Sequence, residues 1–146
     1  MSAPAGVVVV DASVACKWVL NEEGTADAQS LLARWVAERL QPIAPSWFAC
    51  EVANIVYRRA RAGAITLDGA KTLLSTVLSI VVLRDAPGSD AARAIEMADT
   101  AQQQTPYDTC YLALAERERC EYWTDDARFA KAATPYFPQV KHLSQR

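Results

Sequence analysis

The sequence contains only one histidine, His142, close to its C-terminal end. Ser-His-Asp and Cys-His catalytic groups use a histidine to carry the proton, so this shortage disfavours both arrangements. The cysteines are scattered, form no Cys-x-x-Cys pair and predict buried free thiols rather than a zinc cluster. Their positions are Cys16, Cys50, Cys110 and Cys120. Any catalytic chemistry must therefore come from carboxylates, hydroxyls or a cofactor.

The sequence also has no long apolar segment, no strong net charge and no low-complexity tract. No stretch approaches the roughly 20 apolar residues that span a bilayer, and the N-terminal Met-Ser-Ala-Pro-Ala-Gly lacks the basic residues of a secretory signal. We expect a cytoplasmic protein without membrane attachment. The net charge of −2 disfavours coating of nucleic acid by bulk charge, although bound cations would permit an RNA enzyme. The length of 146 residues predicts a single domain, 1–146.

Short β-branched runs alternate with amphipathic stretches along the chain. Strands are predicted at 7–10, 41–45, 80–83, 121–124 and 139–143. Helices are predicted at 14–20, 25–40, 47–62, 66–78, from 89 or 90 to 103, at 105–119 and at 126–133. Ser13, Ser46 and either Ser89 or Asp90 are predicted N-caps, and Thr66 opens the fourth helix. Thr105 suits the cap of the sixth helix and Pro106 its first helical position. The alternation predicts an α/β fold with a mainly parallel central sheet of four to five strands and helices on both faces.

Four acidic residues are predicted to lie at one edge of this sheet. Asp11 directly follows the first strand, and Asp126 follows the strand that ends near Thr124. Asp108 and Glu51 lie in the first two turns of their predicted helices. Strand C-termini and helix N-termini share one rim of a parallel sheet, so the four side chains should converge there. Clustered carboxylates repel one another without cations between them, and oxygen ligands of this kind suit Mg²⁺ or Mn²⁺.

Each of these acids also has a purely structural explanation. Asp108 can complete a capping box, and either Asp126 or its neighbour Asp125 can cap the last short helix. Asp11 can end its strand through an Asx-type turn, and Glu51 can be solvated on its helix. Periodicity and spacing alone leave the metal site and the structural roles open.

Four short motifs resemble those of a known family. They are VVDASVA around Asp11, APSWFACEVAN around Glu51, YDTCYLALA around Asp108 and WTDDARF around Asp126. In composition, order and spacing they are similar to the motifs of PIN-domain proteins, specifically the VapC-type toxins of toxin–antitoxin pairs. The resemblance covers nearly the whole chain.

The resemblance implies a compact three-layer α/β/α fold and an endoribonuclease that depends on Mg²⁺ or Mn²⁺. It also implies a homodimer and inhibition by a cognate VapB-type antitoxin. Carried over by position, the catalytic and metal-binding quartet is Asp11, Glu51, Asp108 and Asp126. The supporting polar residues are Ser13, Asn54 and Thr124. We hypothesise that Asp11 and Asp108 are the principal ligands, and Asp125 stays open as the alternative fourth acid.

Further side chains are candidates for contact with RNA or with a second copy of the chain. Phosphate contacts are expected from Arg58, Arg59, Arg61, Arg128 and Lys131, for which ordinary solvated charge is an equal explanation. Base stacking and core packing are alternatives for Trp18, Trp47, Trp123 and Tyr107, and core packing is favoured. Core and dimer surface are alternatives for Leu73, Leu74, Val77, Leu78 and Ile80.

Three other kinds of protein are considered. A haloacid-dehalogenase-type phosphatase needs a second aspartate where Ser13 stands. A phosphoacceptor receiver domain needs an acidic pair before its first helix and a later lysine, which we do not find. The remaining alternative is a non-catalytic PIN-like module that binds RNA or protein, and only a cleavage assay separates it from the nuclease.

Overall fold

The computed structural model describes residues 3–146, which form one five-stranded parallel sheet. The strands are β1 (Gly6–Val10), β2 (Leu40–Pro45), β3 (Val82–Arg84), β4 (Tyr122–Thr124) and β5 (Val140–His142). Their order across the sheet is β3-β2-β1-β4-β5, and the four pairings are parallel. The predicted α/β fold with a parallel sheet of four to five strands is therefore confirmed.

Seven α-helices of the described chain cover this sheet in a three-layer α/β/α arrangement. They are α1 (Ala12–Lys17), α2 (Thr25–Ala37), α3 (Phe48–Arg61), α4 (Leu67–Ile80), α5 (Gly88–Thr100), α6 (Tyr107–Glu118) and α7 (Ala127–Ala133). A 3₁₀ helix over Leu143–Gln145 follows β5. Within residues 3–146, no helix combines the length and the apolar character that crossing a membrane requires.

The core is centred on β1 and α6, which contact each other directly. Val8, Val9 and Val10 are all buried, whereas a sheet with one solvent-exposed face would bury only every second residue. The reason is that β1 is the middle strand and is covered by helices on both faces. Residues 111–115 of α6 are also buried in succession. The apolar stripe of α4 packs onto this core, with Val77 fully buried and its neighbours partly buried. Val77 is therefore core, and a role of the half-exposed part of the stripe in a dimer stays a prediction.

The first helix starts earlier than predicted, and its cap is a different residue. Asp11 is the N-cap of α1, and its Oδ1 accepts a hydrogen bond from the Val14 amide at 3.1 Å. Ser13, the predicted cap, lies inside the helix. The chain turns into α1 directly after β1, so the first side chain that reaches the free amides is that of Asp11.

The helix start predicted at Thr66 is correct, whereas the cap predicted at Ser46 is wrong. The Thr66 hydroxyl accepts a hydrogen bond from the Gly69 amide at 2.9 Å. In α3 the N-cap position is occupied by Trp47, and no side-chain hydrogen bond caps that helix. Its first turn depends on packing of the buried Phe48 rather than on a capping side chain.

Two further helices begin beside proline. Pro87 is the N-cap of α5, so neither Ser89 nor Asp90 has the predicted capping role. Pro106 is the N-cap of α6 and not its first helical residue, which shifts the predicted cap away from Thr105. Proline lacks an amide hydrogen, and a helix start is where the missing donor costs least.

Two boundaries between a helix and a strand also differ from the prediction. Helix α2 ends at Ala37, and Arg39 adopts a left-handed conformation (φ 59°) that stops the helix before β2. Leu40 instead pairs with β1 at the start of β2. Helix α4 extends to Ile80, so β3 begins only at Val82. Of the four free cysteines only Cys16 is fully buried, and Cys50 is exposed, which corrects the expectation of four buried thiols.

Candidate metal centre

Asp11 lies at the carboxyl end of β1, and both of its carboxylate oxygens are held by hydrogen bonds. Oδ1 accepts from the Ser13 hydroxyl at 2.6 Å as well as from the α1 amide. Oδ2 accepts from the Thr124 hydroxyl at 2.6 Å and lies 3.3 Å from the Tyr122 hydroxyl. The residue is only 6% exposed. Burial raises the pKa of Asp11 even though these hydrogen bonds act to lower it.

Asp108 lies in the first turn of α6, next to Asp11. Its Oδ1 is 3.4 Å from the same Tyr122 hydroxyl, so one phenol lies between the two carboxylates. Burial raises the pKa of Asp108 to about 7, and the negative charges of Asp11, Asp126 and Glu51 act in the same direction. The other three acids are therefore near enough to Asp108 to act on its charge, and their assignment to one site stays a prediction.

Glu51 and Asp126 form the exposed rim of the group. Oε1 of Glu51 accepts a hydrogen bond from the Tyr111 hydroxyl at 2.7 Å. Asp126 is the N-cap of α7, and its Oδ1 accepts from the Phe129 amide at 3.0 Å. Its own amide donates to the Thr124 hydroxyl at 3.1 Å, which links it to Asp11. We call Asp11, Glu51, Asp108 and Asp126 together the acidic edge.

Asp125 has a different environment, although it precedes Asp126 directly. Its carboxylate forms an ion pair with Lys17 at 3.3 Å and lies 3.7 Å from the His142 ring. Lys17 also pairs with Glu22 at 3.0 Å, and Glu22 pairs in turn with Arg59. We call Lys17, Glu22, Arg59 and Asp125 the paired region. Among the described residues, the coupling to Asp108 comes from Asp126 and not from Asp125.

No lysine, arginine or histidine of residues 3–146 forms an ion pair with a member of the acidic edge. Over the same residues, no three histidine, cysteine or acidic side chains form a ready-made ligand cage. Mg²⁺ does not require such a cage, because it keeps several waters and is usually bound through one or two carboxylates. One buried and one half-buried carboxylate without a cationic partner, with two more at the rim, therefore fit Mg²⁺ or Mn²⁺.

The other predicted site residues lie around the acidic edge at different distances from it. Ser13 and Thr124 contact Asp11 directly, as described above. Asn54 lies one turn beyond Glu51 on α3 and is exposed. The basic candidates on α3 and α7 are exposed, apart from Arg59, which is half-buried in its ion pair. The roles predicted for Asn54 and for the basic residues therefore stay predictions.

The aromatic candidates fall into two groups. Trp18 and Trp123 are buried, as core packing requires, and Trp47 is half-buried with its ring edge against Tyr111. Tyr107 is 75% exposed beside Asp108, so the expectation that it packs in the core is wrong. As the residue directly after the α6 N-cap, its side chain points away from the core.

Tyr111 and Tyr122 contact the acids but were not among the predicted site residues. Their spacing in the sequence does place each of them on the same face as a predicted site residue. Tyr122 is two residues before Thr124 on β4, so both side chains face the same side of the sheet. Tyr111 is three residues after Asp108 on α6, which brings both to one face of the helix. Buried aromatic residues nevertheless suit any core, so the sequence pattern did not distinguish a role at the site.

Together the fold and the site define a parallel α/β/α protein with a cluster of buried and exposed carboxylates at the carboxyl edge of its sheet. The sequence model of the family described as the PIN domain matches residues 8–135. The chain therefore belongs to the PIN-domain family. No relative was found among curated protein sequences.

Several solved structures have the same fold. PAE2754 from Pyrobaculum aerophilum is 21% identical and matches 98% of this chain and 88% of its own, with a TM-score of 0.68. A toxin–antitoxin complex from Klebsiella pneumoniae is 15% identical over 93% of this chain and 97% of its own, with a TM-score of 0.66.

A third similar structure is VapC20 from Mycobacterium tuberculosis, described as a toxin that cleaves the sarcin-ricin loop. It is 14% identical and matches 86% of this chain and 94% of its own, with a TM-score of 0.63. Identities this low establish a shared fold, and the activity of this chain has to be argued from its own residues.

Proposed function

We propose that the protein is an endoribonuclease that depends on Mg²⁺ or Mn²⁺ and acts as the toxin of a toxin–antitoxin pair. Its acidic edge would bind the metal and cut the RNA phosphodiester bond. The observation that supports this proposal best is the pair formed by the buried Asp11 and the half-buried Asp108. Their charges are desolvated, lie close together and have no cationic side chain of residues 3–146 as an ion-pair partner. Such a pair is costly in a folded protein unless a cation binds there.

Asp11 and Asp108 would be the principal ligands, and Glu51 and Asp126 would hold a second ion or orient water molecules. Bound Mg²⁺ or Mn²⁺ would supply an activated water, neutralise the phosphoryl oxygens and stabilise the departing oxygen. The hydroxyls of Ser13 and Thr124 would hold the Asp11 carboxylate in one orientation, since each donates to a different oxygen.

RNA would approach the acidic edge from its exposed rim, where Glu51 and Asp126 are. The flanking helices α3 and α7 present Arg58, Arg61, Arg128 and Lys131 to solvent. These side chains would contact phosphates on either side of the cut. Arg59 is engaged with Glu22 and would hold the paired region together instead. The exposed ring of Tyr107 is available to stack on a base.

The toxin role is supported by the PIN-domain family and by the similar structures. One of these is a toxin–antitoxin complex, and another is VapBC2 from Rickettsia felis bound to a fragment of its promoter DNA. We extend to this chain the expectation of a VapB-type antitoxin partner and of a homodimer. Light scattering of the purified chain and of the chain expressed with its neighbouring reading frame would test both assemblies.

The activity is tested by incubating the purified protein with total RNA in Mg²⁺ or Mn²⁺, with EDTA and Asp11→Asn as controls. We expect cuts at discrete sites that disappear in both controls. The Asp11→Asn variant keeps an acceptor for the α1 amide, so its circular dichroism should match that of the wild type. RNA binding that persists in EDTA without any cleavage would instead indicate a non-catalytic binding module.

A further inference from the structure

We infer that the hydroxyls of Tyr122 and Tyr111 position the metal-binding carboxylates, which makes these two tyrosines positioning residues of the acidic edge. The inference rests on the proposed function, since it assigns the tyrosines a role toward the metal that this edge would bind. Neither residue would touch the RNA or the reacting atoms. Each acts through a carboxylate that its hydroxyl contacts.

Tyr122 connects the two acids that we assign as principal ligands. Its side chain is fully buried in β4, and its hydroxyl lies 3.3 Å from Oδ2 of Asp11 and 3.4 Å from Oδ1 of Asp108. A buried phenol needs a hydrogen-bond partner, and a phenol has one hydrogen to donate. It therefore donates to one carboxylate at a time while its oxygen occupies the space between them. The hydroxyl sets the spacing of the two carboxylates.

Tyr111 has the same relation to the third acid. The residue is 2% exposed, and its hydroxyl donates to Oε1 of Glu51 at 2.7 Å. Glu51 is otherwise on the exposed side of α3, where a long side chain has several rotamers. The hydrogen bond selects the rotamer that points toward the other acids.

The two rings form one rigid unit. Their centroids are 5.5 Å apart and their planes differ by 5°, as in a stacked pair. Tyr111 is on α6 and Tyr122 on β4, so the pair links a helix to the sheet below the acidic edge. Stacking restricts both rings, and each ring then restricts the hydroxyl at its end. Three carboxylates from β1, α3 and α6 are thereby held relative to one another before any ion binds.

The alternative explanation is that the two rings only fill the core, in which case the hydroxyl oxygens have no role at the site. Tyr122→Phe and Tyr111→Phe distinguish the two explanations, because they keep the stacked rings and remove only the oxygens. Tyr136→Phe is the matched control, since it removes the same atom from a side chain that is 60% exposed. The probe is Mn²⁺ alone, and the free ion is measured by electron paramagnetic resonance during a titration of each protein.

We expect Tyr122→Phe to weaken Mn²⁺ binding by about tenfold, the usual size of the effect when a group that orients a metal ligand is lost. Tyr111→Phe should weaken it by a smaller factor, because it releases one rim carboxylate. Tyr136→Phe should bind as the wild type does. Circular dichroism should be the same for all four proteins, and melting in EDTA should show only the small loss of stability that removal of one hydrogen bond causes. RNA cleavage by Tyr122→Phe should recover when Mn²⁺ is raised, which separates lost metal affinity from a lost catalytic step.

Equal Mn²⁺ binding by Tyr122→Phe overturns the inference, because the hydroxyl then has no role in positioning the ligands. Tighter binding overturns it as well, because the hydroxyl then hinders the ion. If Tyr122→Phe does not fold, Tyr111→Phe decides by the same criterion. Failure of the wild type to bind Mn²⁺ or cut RNA is a different result, since it overturns the proposed function together with the inference. If the wild type binds Mn²⁺ and cuts RNA, and both Tyr122→Phe and Tyr111→Phe bind Mn²⁺ as tightly as it does, only the inference is overturned.

Discussion

The acidic edge and the paired region lie side by side at the carboxyl end of the sheet, and each contains buried or half-buried carboxylates. In the paired region, Lys17 and Arg59 pair with Glu22, and Lys17 pairs also with Asp125. Burial by itself would lower the pKa of Lys17, but hydrogen bonds and attraction from its two acidic partners raise it. The ionised forms stabilise each other, so this region needs nothing further to neutralise it.

The acidic edge lacks such compensation within residues 3–146. Burial raises the pKa of Asp108 to about 7, and the neighbouring carboxylates act in the same direction. Acidic residues alone therefore do not mark the candidate site, because the paired region has them too. The difference lies in unbalanced charge, which a cation from solution would balance. Asp125 and Asp126 are adjacent in the chain, yet Asp125 belongs to the paired region and Asp126 to the acidic edge.

The largest predicted effect is a difference in RNA cleavage between two variants, one with a carboxylate of the acidic edge replaced and one with a carboxylate of the paired region replaced. Asp108→Asn removes a principal ligand of the proposed metal, so RNA cleavage should fall by at least ~100-fold. Asp125→Asn removes a partner of Lys17 and should lower cleavage by less than ~10-fold. The measurement is the initial rate of cleavage of one defined RNA at saturating Mn²⁺. Equal loss in the two variants would contradict the assignment of Asp126 as the fourth acid.

Divalent metal should stabilise the protein through the acidic edge and not through the paired region. At a metal concentration about 100 times its dissociation constant, binding to the native state adds about 2.7 kcal/mol to the free energy of unfolding. Thermal melting with Mg²⁺, Mn²⁺ or EDTA measures this gain. Asp108→Asn should reduce it, and Asp125→Asn should retain it. An unchanged gain in Asp108→Asn would mean that the metal binds elsewhere.

Without metal, the protein should become more stable as the pH falls from 8 to 5.5. Asp108 has a pKa of about 7 in the native state and an ordinary, lower value when unfolded. The native state therefore takes up a proton in this range while the unfolded state remains ionised, which adds up to about 2 kcal/mol at the lower pH. The stability from this proton is complete below the unfolded pKa and is lost as the pH rises through about 7.

Urea unfolding in EDTA at several pH values measures this dependence. In Asp108→Asn the gain between pH 8 and 5.5 should shrink, because the titrating carboxylate is absent. The same experiment with saturating Mg²⁺ should also show a smaller gain, since the cation favours the ionised form. A metal-free wild type that loses stability over this range would show that other groups dominate the titration.

The convergence of the four acids was predictable because it follows from topology. Strand ends and helix starts meet at one rim of a parallel sheet, so Asp11 and Asp108 could be assigned to that rim from the sequence alone. Capping was less predictable, since the start of α1 depends on how β1 ends. The preference for Asp126 over Asp125 as the proposed fourth acid rests on the ion pair of Asp125 with Lys17, a distant part of the chain that the sequence does not connect to it.

The role of Tyr122 was not predictable for a different reason. A tyrosine in a short apolar strand fits a packed core, and the ring of Tyr122 does pack there. What distinguishes it is the position of a single hydroxyl between two carboxylates. That position depends on the register between β1 and β4 and on the contact of α6 with β4. Sequence periodicity gives the side of the strand but not these contacts.

The smallest effect should come from Lys17→Met, which removes the central cation of the paired region and keeps most of the apolar side chain. Glu22 keeps Arg59 as a partner, and Asp125 is about one-third exposed, so solvent would replace much of the lost attraction. We expect the free energy of unfolding to fall by about 1 kcal/mol, measured by urea unfolding. Mn²⁺ affinity should stay close to that of the wild type, because Lys17 pairs with Asp125 and not with an acid of the acidic edge. A large change in Mn²⁺ affinity would mean that the two regions act as a single electrostatic unit.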